Sequence, residues 1–215
     1  MKKLIITAFE PFDTHQENPT VNILHALPNN IGRIELRKHI LPVAYLKSFE
    51  LLEAIIHQED VIGVIMLGLA AGRTHITFEQ IAINLNHATI ADNHQSIKLY
   101  EKIIEEGLDG YFSTLPLKDI LQDLENKNFP VKLSLSAGGY VCNDLFYRVL
   151  HYTKTQNQNL LSGFVHVPYH RESNTSHAYP MLPLNTMIDT IYEALKYIIL
   201  YYEKESNNEK NPINH

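Results

Sequence analysis

One cysteine and no tryptophan occur among the 215 residues of this chain. A single thiol forms no internal disulfide, which suits a reducing compartment. Basic clusters are missing as well and the formal net charge is −6, so no nucleic-acid partner is expected. No apolar run approaches the ~20 residues of a membrane-spanning helix, so no membrane association is expected. Lys2-Lys3 precede an apolar stretch, Leu4 to Phe9, that ends at Glu10. That is too short for a signal-peptide core, and no small-residue cleavage site follows it. A cytoplasmic location is the expectation. Also absent are the G-x-S-x-G, P-loop, G-x-G-x-x-G and H-E-x-x-H patterns. Twelve histidines are present, including the pairs His166/His170 and His87/His94, but no paired cysteine or acidic spacing supports a metal site. No metal is expected.

What remains is a composition of 45% hydrophobic and 20% charged residues, typical of a globular protein. Lys2 to Ala8, Ile34 to Leu41, Val61 to Leu67, Val131 to Ser136 and Gly163 to Val167 read as strands, Val61 to Leu67 as one covered on both faces. Ile81, Ile83 and Leu85 alternate as in a half-buried strand. Asn18-Pro19 reads as an N-cap followed by proline at the first helical position. Helical spacing recurs over Tyr45 to His57, Leu117 to Lys127, after Cys142, and from Thr186 to Glu203. Strands separated by helices predict a single α/β domain over residues 1–205, with a twisted, mostly parallel sheet and helices on both faces. Residues 206–215 are polar and read as a disordered tail.

Cys142 lies in Ser136-Ala137-Gly138-Gly139-Tyr140-Val141-Cys142-Asn143, small residues leading into a helix. At a helix start, unpaired N–H groups and the dipole favour the thiolate. Most free cysteines are small buried hydrophobes, so the nucleophile reading needs partners. His166, near the end of its strand, serves either as a core histidine or as general base and acid for Cys142. Glu79 is the carboxylate best placed to orient that imidazole, giving a Cys–His–acid set. Phe9 and Phe12 are core aromatics or the walls of a flat slot in the loop stiffened by Pro11. Segments after four strands (Phe9 to Phe12, Gly68 to Arg73, the Cys142 turn, and Val165 to Tyr169) are expected to converge at the strands' carboxyl edge.

Taken in order, these residues resemble one family. Phe9-Glu10-Pro11-Phe12 with Asn18-Pro19, Gly72-Arg73-Thr74 with Ile76-Thr77 and Glu79, Ile81-Ala82-Ile83-Asn84, Asp92-Asn93, Tyr111 to Pro116, Ala137-Gly138 with Tyr140 to Asn143, and Gly163-Phe164 with His166 to Tyr169 are similar to the pyroglutamyl peptidase type I motifs. The resemblance spans residues 4 to 170. It implies a cytosolic, cofactor-free cysteine peptidase, commonly a homotetramer, that removes N-terminal pyroglutamate from peptides. The implied triad is Cys142, His166 and Glu79. Phe9 and Phe12 would sandwich the lactam ring, and Leu69, Tyr140 and Val141 would complete the substrate site.

Three positions depart from the family pattern: Asp13-Thr14 replace two glycines, Leu69 replaces Gln, and Thr89 replaces Arg. A polar group left unpaired opposite Leu69 would cost about 1–3 kcal/mol. A lost oxyanion donor at Thr89 would cost about 3 kcal/mol of rate. Reduced activity or shifted specificity is therefore expected. Two alternatives follow: the same fold acting on another small N-acyl or cyclic amide, and a non-catalytic, thiol-containing binding or redox-sensing protein.

Overall fold

The computed structural model describes residues 1–12, 17–156, 159–170 and 179–210. Its centre is a seven-stranded sheet in the order β10-β5-β11-β4-β1-β3-β2. These strands are β1 (Lys3–Phe9), β2 (Asn30–Ile31), β3 (Ile34–Leu41), β4 (Val61–Leu69), β5 (Ile76–Glu79), β10 (Val131–Ser134) and β11 (Leu161–Val167). The four central strands are mutually parallel, with Ile5 facing Arg37 and Val64, and Val165 facing Leu67. The five helices among the described residues are α1 (Pro19–Ala26), α2 (Lys47–Gln58), α3 (Leu117–Asn126), α4 (Val141–Thr155) and α5 (Leu184–Lys210).

Strand alternation sorts the core into two layers. Leu4, Ile6, Ile65, Leu67, Val165 and Val167 face α1, α3 and α5, where Ile23, Ile120 and Ile191 meet them. Ile5, Val64, Met66 and Phe164 face α2 and α4, against Leu52, Leu145 and Phe146. The expected α/β architecture with both faces covered is present, and α1 opens as its sequence predicts, Asn18 Oδ1 accepting the N–H of Thr20 with Pro19 next.

Several elements differ from expectation. Ile76–Glu79 forms β5, antiparallel to β11 and parallel to β10. Four residues buried on both sides show no periodicity, so only the pairing reveals this strand. The alternating run that begins at Ile81 belongs to a small separate sheet, β6 (Ile81–Ile83) with β9 (Gly110–Phe112). A second such pair joins β7 (Asn86–Ala88) to β8 (Lys98–Glu101). The tail expectation is corrected for residues 206–210: α5 runs to Lys210, because a nucleated helix extends through Ser, Asn, Glu and Lys at little cost. Residues 211–215, and Asp13-Thr14, lie outside the described residues.

Candidate active site

Three of the four chemical segments reach one edge as expected. The loop after β1 carries Phe9 to Phe12, the end of β4 carries Leu69, and β11 carries His166 next to its last residue. The Cys142 turn does not arrive by strand direction, since β10 points opposite to the central strands. Local anchors bring it there instead. Gly139 lies against β7, its carbonyl accepting the His87 N–H at 2.8 Å. A Cβ on Gly139 would stand 2.7 Å from the His87 carbonyl oxygen, so only glycine fits. Asn143 is fully buried and clamps α4 onto the neighbouring strand, accepting from Ile83 N–H at 3.0 Å and donating to the carbonyls of Ile83 and Leu85.

Cys142 is the second residue of α4, and the extended N-cap Tyr140 contributes no side-chain capping bond. The first-turn N–H groups are thereby left uncapped by that side chain, which suits an incoming anion. The half-buried thiol lines a small cleft with Phe9, Phe12, Asn18, Val43, Leu69, Tyr140 and Val141. All five residues expected on the substrate side are therefore in its walls. Phe12 packs on Tyr140 with ring centroids 6.1 Å apart.

His166 is buried and its ring rests on Phe164, centroids 4.7 Å apart. Its Nδ1 lies 2.8 Å from Glu79 Oε1, which assigns the Nδ1–H tautomer and leaves Nε2 as an acceptor. Glu79 has no exposed surface and ends β5. Burial opposes its charge, but the His166 bond and the Arg73 charge prevail and hold its pKa below the usual value. Burial keeps His166 below its ordinary value despite Glu79. Burial and the Glu79 charge push the Cys142 thiol up to about 12, with Arg73 opposing. Burial therefore opposes the thiolate that the helix terminus favours.

The sequence reading assigned no role to Arg73. Its guanidinium bonds Glu79 Oε1 at 2.6 Å, the Thr77 hydroxyl, and the Ser136 carbonyl at 3.0 Å. It therefore ties the acid to the chain leading into Cys142. The available signal was its position after the small-residue turn at the end of β4. Asp92-Asn93, noted only as a motif, pins the aromatic loop: Asn93 Nδ2 donates to Glu10 Oε1 at 2.8 Å and to the Pro11 carbonyl at 3.0 Å. Thr89 is exposed. Among the described residues no group of three or more His, Cys, Asp or Glu is placed to hold a metal ion. No helix among them is long and apolar enough to cross a membrane.

The family model described as pyroglutamyl peptidase matches residues 2–201. The chain is 42% identical over 169 residues to the pyrrolidone-carboxylate peptidase of Oceanobacillus iheyensis, covering 78% of this chain and 84% of that protein. It is 35% identical over 204 residues to that of Thermosipho africanus, covering 94% and 100%. Among solved structures, the pyrrolidone carboxyl peptidase from Thermococcus litoralis superposes with a TM-score of 0.90 at 34% identity, covering 95% of this chain and 96% of that one. Pyroglutamyl peptidase I of Bacillus amyloliquefaciens gives 0.89 at 29% identity, covering 94% and 98%.

Proposed function

The chain belongs to the pyroglutamyl peptidase family and is a cysteine hydrolase that removes N-terminal pyroglutamate; on that premise we propose that Cys142, His166 and Glu79 perform the reaction. The observation that carries the assignment is the 2.8 Å bond between buried Glu79 and His166, with His166 paired to Gly68 next to Leu69, which lines the same cleft as Cys142.

Burial opposes charge on both thiol and imidazole, so attack and proton transfer are coupled. Cys142 Sγ bonds to the pyroglutamyl carbonyl carbon as its proton passes to His166 Nε2. The carbonyl oxygen becomes an oxyanion, received by backbone N–H groups at the start of α4. The C–N bond then breaks, and His166 returns the proton to the departing amine. A water attacks the thioester, giving its proton to Nε2. Pyroglutamate leaves, and the sulfur recovers its proton. Glu79 holds the ring and stabilises the transient imidazolium, with Arg73 fixing the carboxylate. Phe9 and Phe12 provide flat walls for the uncharged lactam, completed by Leu69, Tyr140 and Val141.

A homotetramer and a cytoplasmic location belong to the same proposal. Exposed Ile97, Leu99, Tyr100, Leu108 and Phe112, on and around the small strand pairs, support self-association; sedimentation equilibrium tests it. Leu69, 8% exposed in the cleft wall, favours a second reading in which an apolar ring is accepted as well. A panel setting prolyl-amide and N-acetyl amino-acid amides beside the pyroglutamyl amide separates the two.

The experiment for the triad is release of aminomethylcoumarin from pyroglutamyl-aminomethylcoumarin by the reduced protein. Wild type should turn over, iodoacetamide should block it, and Cys142→Ala should abolish it with an unchanged circular dichroism spectrum. Full activity in Cys142→Ala would eliminate the mechanism.

A further inference from the structure

The segment linking β3 to α2 is held more firmly than a surface connection requires. Val43 N–H donates to Glu10 Oε1, and the Val43 carbonyl accepts Asn93 N–H at 2.8 Å. Tyr45 N–H donates to Asp92 Oδ2 at 3.0 Å, and Leu46 N–H to Asp144 Oδ2 at 3.1 Å. Leu46 adopts φ +59° and ψ −45°, a strained γ-turn closed by Lys47 N–H on the Tyr45 carbonyl. Strain of this kind persists only where its surroundings over-determine it, and it concentrates at functional sites.

Tyr45 is what this framework holds. Its side chain is 9% exposed, and its hydroxyl is buried without a hydrogen-bond partner among the described residues. A buried donor lacking an acceptor is a cost the fold carries. Its ring stands edge-on to Tyr140, centroids 5.6 Å apart. Tyr140, against its ring, and Val43, two residues before it, both line the Cys142 cleft. Burial, then the charges of Tyr140, Asp144, Asp92 and Cys142, raise the phenol pKa further. The hydroxyl therefore stays protonated and available as a donor.

We propose that Tyr45 is a further substrate-contacting residue, its Oη–H donating a hydrogen bond to an oxygen of the acyl group bound at Cys142. The acceptor that Oη lacks in the free protein arrives with the substrate, on local adjustment of the Tyr140 ring. The contact strengthens as negative charge develops on the carbonyl oxygen, so it favours turnover more than binding. This inference rests on Cys142 being the nucleophile.

Tyr45→Phe removes one oxygen and keeps the ring packing. The expected result is a fall of about tenfold or more in kcat/KM for pyroglutamyl-aminomethylcoumarin, mostly in kcat. Its melting temperature should equal or exceed that of wild type, because an unpartnered buried hydroxyl is gone. A kcat/KM within about twofold of wild type overturns the proposal. Should Tyr45→Phe also lose stability, titrating its folded form with pyroglutamyl aldehyde decides. That inhibitor adds the thiol to give a hemithioacetal whose oxygen occupies the oxyanion position. Affinity weakened about tenfold supports the contact, and unchanged affinity overturns it. An inactive wild type, or an active Cys142→Ala, would defeat the triad reading and this inference together. An active wild type, a dead Cys142→Ala and an undiminished Tyr45→Phe would defeat this inference alone.

Discussion

At the scale of single residues, Cys142 and His166 are both displaced toward their neutral forms. The thiol therefore reacts as a thiolate only when a proton acceptor is engaged or the solution is strongly alkaline. In the free protein, alkylation of Cys142 by iodoacetamide should keep accelerating above the ordinary thiol value of 9.0, toward about 12. A plateau below pH 8, followed by mass spectrometry, would mean an ion pair already exists at rest. For His166 the lowered pKa keeps the accepting imidazole below its ordinary value of ~6.5, so the acid limb of kcat/KM should lie on the acid side of that value. Glu79→Gln keeps the shape but leaves the imidazolium unsupported and the ring free to take the wrong tautomer. A loss of about 10²–10⁴ in kcat is expected, with substrate affinity little changed. Residue identity was legible here: Cys142, His166 and Glu79 followed from chemical type and order along the chain. Arg73 and Tyr45 were not legible, since an arginine in a turn and a tyrosine before a helix are ordinary until their partners, or lack of them, are seen.

At the scale of elements, the site depends on how closely β4, β11 and α4 approach. Gly68, near the end of β4, faces the Phe164 ring, and a Cβ there would stand 2.7 Å from Phe164 Cε1 and 3.0 Å from His166 Cδ2. Gly68→Ala must therefore displace the Phe164 ring and crowd the His166 ring that rests on it. We expect kcat to fall about tenfold or more while a far-ultraviolet spectrum stays native; unchanged kcat would show that β11 yields without moving the imidazole. Asn143 works at the same scale. Removing its three bonds to β6 and Leu85 strands polar groups of a partly buried strand, so Asn143→Ala should destabilise by about 2–3 kcal/mol in denaturant unfolding. The core-facing elements could be read from periodicity. The four-residue β5 could not, although it carries Glu79, because four buried residues have no period to detect.

At the scale of the whole molecule, the buried ionisable groups set a stability window. Cys142, Tyr45 and Tyr147 have pKa values raised by folding, so each favours the folded state while protonated. The unfolded thiol gives up its proton near pH 9.0, and the folded one only near its raised value. Stability is therefore complete below pH 9 and declines as pH climbs toward the folded pKa. Glu79 and His166 shift downward. Their contributions are present above the unfolded values and are lost as pH falls through the folded ones. Melting temperature should therefore pass through a broad maximum between about pH 6.5 and 9. In Cys142→Ala the decline that begins near pH 9 should be shallower, as differential scanning calorimetry can show. A wild-type decline matched by the variant would remove the thiol from this balance.

The amino-acid sequence by itself determined the layered α/β plan and the chemistry. Alternation and helical spacing decide which faces are buried, and a lone thiol with a histidine and a carboxylate restricts the reaction class. Tertiary structure alone decided the approach of Cys142, which the Gly139 and Asn143 anchors bring to the site, the union of Arg73 with Glu79, and the burial that opposes the thiolate. Those three depend on distances across long sequence separations and on how much water each group loses, and neither is encoded in any local window of residues.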